Sequence, residues 1–154
     1  MKGNDKLIAE LNGLLAEELT AINQYMVHAE MCDNWGYEKL AKEVKARAIV
    51  EMKHAEALIE RILFLEGKPD VSRLEKIHIG DDIPAQINHD LEAEVAAIRR
   101  YNQAIKLATD VADNVSRELL ESILKDENGH LDDLEAKRDQ IAQMGLQNFL
   151  LSQV

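Results

Sequence analysis

The sequence predicts an all-α bundle of four long helices, and three observations predict it. Glycine and proline number only 7 and 2 in 154 residues, so the chain has few places to turn. The apolar residues, 46% of the chain, are mostly Leu, Ile and Ala, and aromatics make up only 4%. Strands favour β-branched and aromatic residues instead. The apolar positions recur at helical spacing through four segments of roughly 28 residues, each about 40 Å long as a helix. The length suits one domain, residues 1–154, with a full-sized core.

Each element has its own signals. The first helix is expected from about Asp5, which can cap it, to Asn34, where Gly36 helps end it. Leu7, Ile8, Leu11, Leu14, Leu15, Ile22, Tyr25 and Met26 form its stripe. The second runs from about Glu38 to Glu66, with Leu40, Val44, Ala48, Ala55, Leu58, Ile62 and Leu65 in line. Gly67 and Pro69 stop it. Lys68–Gly80 shows little helical pattern and reads as a connector. The third runs from about Asp82 to Thr109, with Ile87, Leu91, Ile98, Tyr101 and Ile105 aligned. A turn at Asp113 and Asn114 can cap the fourth helix, which carries Leu120, Ile123, Leu124, Leu131 and Leu134. It ends near Met144–Gly145, and a short amphipathic helix, Leu146–Ser152, closes the chain. Short, long, short connections imply a crossover between the second and third helices, the ferritin-like variant of the four-helix bundle. A plain up-down bundle would need only a few residues there.

Charge and cysteine content remove several function classes. Eighteen basic against 29 acidic residues leave a net charge of -11. Nucleic acid is therefore excluded as a partner, because a duplex demands a basic face. Cations are the natural partners of such a chain. The single Cys32 supports neither a disulfide framework nor a Cys-based zinc cage and fits a reducing cytoplasm. No apolar run approaches the length of a membrane span, and MKGNDKLIAELN lacks the apolar centre of a signal peptide. A soluble, cytoplasmic protein is expected.

The two halves of the chain repeat. Glu18-Leu-Thr-Ala-Ile-Asn-Gln-Tyr25 aligns with Glu94-Val-Ala-Ala-Ile-Arg-Arg-Tyr101. The same offset carries Glu51 to Glu127, His54 to His130 and Leu58 to Leu134. Each helix thus holds one carboxylate inside its apolar stripe: Glu18, Glu51, Glu94 and Glu127. The other acids fall mostly on polar faces. Four ionised carboxylates in one core would be prohibitively costly without compensation, and no Lys or Arg shares their stripes. Protonating all four would require large upward pKa shifts. Two divalent cations balance four carboxylates, and two neutral imidazoles add no charge. Glu51-x-x-His54 and Glu127-x-x-His130 place each imidazole beside its carboxylate on the helix. One Glu from each of two helices and Glu-x-x-His from each of the other two form the di-metal carboxylate pattern. Oxygen-rich ligation with one imidazole per metal favours iron or manganese over copper, and iron makes the site useful for oxygen chemistry. Tyr25 and Tyr101 each lie two helical turns beyond a ligand Glu and can hydrogen-bond the carboxylates. Tyr25 is also a candidate electron donor.

Beyond this pattern the chain resembles the bacterioferritins over essentially its whole length. The resemblance rests on the ligand spacing and on MKG, AINQY at 21–25, NWG at 34–36, EMKHA at 51–55, ERILFLEG at 60–67, IGDD at 79–82, SREL at 116–119 and MGLQN at 144–148. It implies a hollow homo-oligomeric shell of 24 subunits that stores ferric mineral. It also implies a ferroxidase centre in each subunit, oxidising Fe(II) with O2 or H2O2. By this resemblance Glu51 and Glu127 bridge two irons, Glu18 and Glu94 are terminal ligands, and His54 and His130 serve one iron each. It further implies haem b, one per subunit pair, with Met52 as the axial ligand. Leu19, Ile22, Met26 and Ile49 then add an apolar wall, and a ferredoxin-like donor supplies electrons for iron release. Asn34 and Asn148 are expected to line shell pores.

This chain departs from common members in having Lys45 and Asp133 where they often carry Tyr and Trp. Ala46 and Val50 occupy positions where certain members carry His and Asp. An additional iron site on the cavity face is therefore expected to be absent. Two alternatives stand beside the storage reading. One is a di-iron oxidase or peroxidase that stores no iron, against which the chain lacks a rubredoxin-like Cys motif. The other is a haem-bearing structural subunit of a mixed shell, against which no ligand is missing. His28, His78 and His89 read as surface or interface histidines, with metal uptake as the other reading.

Overall fold

The computed structural model describes residues 1–154. Its elements are α1 (Asp5–Asn34), α2 (Glu38–Phe64), α3 (Ile83–Asp110), α4 (Asn114–Met144) and α5 (Leu146–Leu151). No strand is present, and no helix is long and apolar enough to cross a membrane. The architecture is the ferritin-like four-helix bundle with a long crossover and a short fifth helix.

The caps show why the helices begin where they do. Asn4, not Asp5, caps α1: its side-chain oxygen accepts from the amides of Lys6 and Leu7. Asp5 instead lies in the first turn, where its charge suits the helix dipole. Asp82 accepts from the Ala85 amide at 2.9 Å and Asp113 from the Ser116 amide at 3.0 Å, each satisfying a donor that the helix leaves free. Gly36 and Gly145 turn the chain at φ values of 85° and 83°, a region in which a Cβ is strained.

Paired contacts set the helix directions. α1 runs antiparallel to α3, since Tyr25 meets Glu94 and Tyr101 meets Glu18. α2 runs antiparallel to α4, as Arg61 bonds Asp113 and Lys137 pairs with Glu43. α1 and α2 are likewise antiparallel neighbours, so α2 and α3 run parallel and need the crossover. That crossover has no ladder of its own. Side chains of α1 hold it instead: Asn12 bonds Lys68 and Asp70, Thr20 the Glu75 amide, Gln24 the His78 amide and His28 the Gly80 amide.

The apolar core is divided in two. One cluster centres on Leu7, Leu11, Leu58, Ile62 and Leu120. The other centres on Cys32, Leu40, Val44, Ile87 and Leu134, and is closed by Phe149 of α5. The four stripe carboxylates lie between these clusters. Two expectations need correction. Met26 is 51% exposed, so it leaves the inner stripe on which its spacing places it and faces outward, the side on which the apolar wall was expected. His28 is fully buried rather than at the surface, because the crossover covers it.

The close approach of Gly80 to α3 sets a test. A Cβ there would stand 2.4 Å from the Gln86 nitrogen, which is backbone and cannot swing away, whereas a Cβ at the exposed Gly129 of α4 meets nothing. Gly80→Ala is expected to destabilise the protein by about 1–3 kcal/mol, and Gly129→Ala to stabilise it by about 0.5–1 kcal/mol. Chemical unfolding of the two variants against the parent checks both signs.

Candidate metal centre

Six side chains from four helices converge between the two apolar clusters. Glu18 comes from α1, Glu51 and His54 from α2, Glu94 from α3, and Glu127 and His130 from α4. The four carboxylates are 1–2% exposed. None of them pairs with Lys or Arg; their only ionic neighbours are the two imidazoles. The ligand atoms fall into two overlapping sets, within 4.8 Å in each. Glu18, Glu51, His54 and Glu127 form one, and Glu51, Glu94, Glu127 and His130 the other. Glu51 and Glu127 belong to both, which is the arrangement a pair of neighbouring cations requires.

Unsatisfied atoms mark where the cations fit. Glu18 Oε2, Glu51 Oε1, His54 Nδ1, Glu94 Oε2, Glu127 Oε1 and His130 Nδ1 are all shielded from solvent and lack a hydrogen bond. Buried polar atoms are rarely left so. Here each of the six residues contributes one, and all face a common space. His130 Nδ1 lies 2.9 Å from Glu51 Oε1 and His54 Nδ1 3.2 Å from Glu127 Oε1, close but without hydrogen-bond geometry. The donor set of carboxylates and imidazoles suits divalent first-row metals.

Glu18, Glu94 and His54 are also held from outside. Tyr101 donates to Glu18 at 2.5 Å and Tyr25 to Glu94 at 2.6 Å, so the tyrosine of each half steadies the carboxylate of the other. Burial first, and then the neighbouring carboxylate, holds both phenols well above their ordinary pKa, so they remain donors. His54 Nε2 lies 2.8 Å from Asp126 Oδ2. With the Nε2 hydrogen donated there, Nδ1 is the nitrogen turned to the carboxylates and the one a cation would take once its proton is displaced. Asp126 is not legible in the sequence because it is half exposed and looks like any solvated acid. Position 50, which the internal repeat aligns with Asp126, is Val50. Val50 cannot anchor His130 in the same way.

A second buried polar group is equally silent in the sequence. Asp90 of α3 is 2% exposed. It accepts from Gln24 at 2.9 Å, lies 2.8 Å from His28 Nδ1, and pairs with Arg47 at 3.4 Å. His28 Nε2 accepts the Gly80 amide, so Nδ1 carries the hydrogen and donates to Asp90. The Arg47 guanidinium lies 4.6 Å from the centre of the Tyr25 ring, which connects this group to the carboxylates. Arg47 stands one helical turn before Glu51 and is nearly buried. The expectation that no Arg shares the carboxylate stripes therefore needs correction, although Arg47 pairs with Asp90 and not with the four glutamates. The repeat replaces Asp90, His28 and Arg47 with Leu14, Ala104 and Ile123 in the other half. The one legible signal is Asp90 at a helical turn's spacing before Glu94, on the same stripe.

Protonation is set by crowding. Burial raises Glu18 well above the usual carboxyl range, aided by the charge of Glu51. Burial likewise pushes Glu127 up to about 12. At Glu51 burial is outweighed by the protons gathered around it, on Glu18 and the two imidazoles, which hold it well below its ordinary value. His130 loses to burial but gains more from Glu51 and Glu94, reaching about 9, and His54 is raised for the same kind of reason. Cations entering this space must displace these protons.

The pH dependence has a definite sign. The contribution of His130 to stability is full below about 6.5 and lost as pH rises through about 9. Glu127, neutral when folded and ionised when unfolded, opposes folding increasingly above about 4.5. The melting temperature of the metal-free protein should therefore fall between pH 6.5 and 9. The protection given by added Co(II) should grow over the same range. Calorimetry with chelator and with Co(II) checks both; a metal-free protein that becomes more stable towards pH 9 would contradict this account.

Known proteins with similar sequences bear on this centre. The family profile of the ferritin-like domain matches residues 8–144. The bacterioferritin of Rhodobacter capsulatus is 41% identical over 151 residues, which cover 98% of this chain and 94% of that protein. The bacterioferritin of Brucella melitensis biotype 1 is 38% identical over 149 residues, covering 97% and 92%. That of Streptomyces coelicolor is 41% identical over 145 residues, covering 94% and 87%.

Proposed function

Because the chain belongs to the bacterioferritin family, we propose that it is an iron-storing ferroxidase that takes Fe(II) into the six-residue centre and oxidises it there. The convergence of six unsatisfied ligand atoms, one from each residue, carries this reading. Two Fe(II) ions are the substrate. Glu51 and Glu127, common to both atom sets, bridge them; Glu18 with His54 and Glu94 with His130 complete each side. Four carboxylates and two dications leave no net charge, so the centre accepts metal without a buried counter-charge. O2 takes two electrons from the pair, one from each Fe(II), and leaves with two protons as H2O2; H2O2 as oxidant takes the same two electrons and, with two protons, leaves as two waters. The ferric product passes to a mineral held within a shell of 24 copies.

The protein's own groups prepare the centre for this. Tyr25 and Tyr101 fix one oxygen of Glu94 and Glu18 and leave the other free for metal. Asp126 sets the tautomer and plane of His54. The two apolar clusters keep bulk water from both ends of the site. His130 has no such anchor, is 15% exposed at its side chain and lines an open cavity of about 410 Å³ with Val50 and Ala46. The centre therefore opens on that side without the His and Asp of an additional iron site.

Haem would sit on the outer face of α1 and α2. Met52 points out of the bundle, 46% exposed, and the helix register sets Leu19 and Ile22 at the level of Met52 and Ile49. Met52 and Ile49 stand in solvent beside the half-buried Leu19 and Ile22, which also pack against the core. Met52 would hold the iron of a haem shared with a second copy, a group that carries electrons. Such electrons, from a ferredoxin-like donor, would release stored iron. The buried, free Cys32 fits work in the reducing cytoplasm.

Two measurements test the reading. After aerobic Fe(II) addition and gel filtration, iron far above two per chain should elute with a large shell. Retention near two in a small species would instead favour an oxidase that stores nothing. Met52→Leu should abolish the haem Soret band, and a persistent bis-methionine haem spectrum in that variant would remove Met52 as the ligand.

A further inference from the structure

A cleft of about 240 Å³ leads from the surface between α1, α3 and the crossover to the carboxylates of the centre. Small residues of α1 and α3, Ala21, Ala93 and Ala97 among them, leave the gap open. At its inner end lie Glu18, Glu51 and Glu127; at its mouth lie His78, His89 and Glu92. The two imidazoles stack with ring centroids 5.6 Å apart and planes 26° from parallel. The Glu92 carboxylate stands 4.0 Å from His89 Nδ1.

Unsatisfied atoms again point to a ligand. Outside the six residues of the centre, three buried side-chain atoms lack a hydrogen bond: Glu17 Oε2, His89 Nδ1 and Gln153 Oε1. Glu17 and His89 both line this cleft. Glu17 directly precedes Glu18, and its other oxygen is taken by Arg100 at 3.4 Å. The free oxygen belongs to a residue that lines the same cleft as Glu18.

The crossover is pinned where this arrangement needs it. The backbone amides of Glu75, His78 and Gly80 donate to Thr20, Gln24 and His28. Gln24 and His28 are themselves held by buried Asp90, one residue after His89. The same buried group therefore fixes the backbone on both sides of the imidazole pair.

We propose that His78, His89 and Glu92 form a divalent-cation docking site at the mouth of this cleft, from which Fe(II) moves inward past Glu17 to Glu18. Two imidazoles and a carboxylate are suitable ligands for Fe(II). With only these three, several positions stay with water, so the ion is held loosely enough to leave. This step exchanges ligands and transfers no electrons. It rests on the ferroxidase reading, and the test separates the two.

Anaerobic Co(II) titration of the assembled protein, followed by visible absorption and calorimetry, should show two tight ions per chain and one weaker. His78→Ala/His89→Ala should lose the weaker ion and keep the two tight ones. In stopped flow at low Fe(II), oxidation by the double variant should be slower by on the order of tenfold, converging with the parent at saturating Fe(II). Glu92→Gln, exposed and harmless to folding, should show a smaller loss of the same kind. A parent that binds only two ions, or a double variant that keeps the third, would overturn the docking site and leave the centre standing. Absence of the two tight ions from the parent would overturn the ferroxidase reading itself. A double variant whose oxidation rate matches the parent at every Fe(II) concentration would show that the cleft mouth takes no part in uptake.

Discussion

The energetic problem of placing four carboxylates in one apolar core governs this structure. Isolated ionised groups in that setting would cost many kcal/mol, and no lysine or arginine pairs with them. The metal-free chain meets the problem with protons, on Glu18, Glu127 and the imidazoles around Glu51. That solution still leaves six ligand atoms without partners. Metal binding exchanges the protons for cations and satisfies those atoms together. The core divides into two clusters for the same reason, because apolar side chains cannot fill the level at which the carboxylates meet.

The internal repeat gives the centre its near two-fold form, and its departures from symmetry matter as much. Tyr25 and Tyr101 serve opposite carboxylates in matching ways. Around them the halves diverge. The half containing Tyr25 is backed by Asp90, His28 and Arg47, and the half containing Tyr101 by Leu14, Ala104 and Ile123. His54 is anchored by Asp126, while Val50 stands at the aligned place near His130. Two sets with nearly equal ligands are therefore unequal in polarity and rigidity. The polar half also faces the crossover, which has no secondary structure and takes its hydrogen bonds from α1. One buried group thus serves the backbone of the strap and the surroundings of the centre.

The four helices, their order, the crossover and the six residues of the centre were legible in the sequence. Helical periodicity, breaker residues and a carboxylate out of place in each apolar stripe are local features, and a repeat makes each one visible twice. Caps were less legible: Asn4 and Asp5 both have the chemistry of a cap, and only the backbone direction at the first turn chose Asn4. Met26 lay on the stripe by spacing alone. Its exposure depends on where α2 sits beside α1, which spacing does not encode.

The sequence by itself therefore determined the set of helices and the chemistry of their inner faces, because both arise from residues a few positions apart. Tertiary structure decided the roles of His28, Asp90, Arg47 and Asp126. Each looks like an ordinary polar residue until a distant segment meets it: the crossover at His28, α1 and α2 at Asp90, the Tyr25 ring at Arg47, and His54 at Asp126. It also decided that a cleft reaches the carboxylates beside His78 and His89. Those two side chains belong to the crossover and to α3, and only the packing of one against the other brings their rings together.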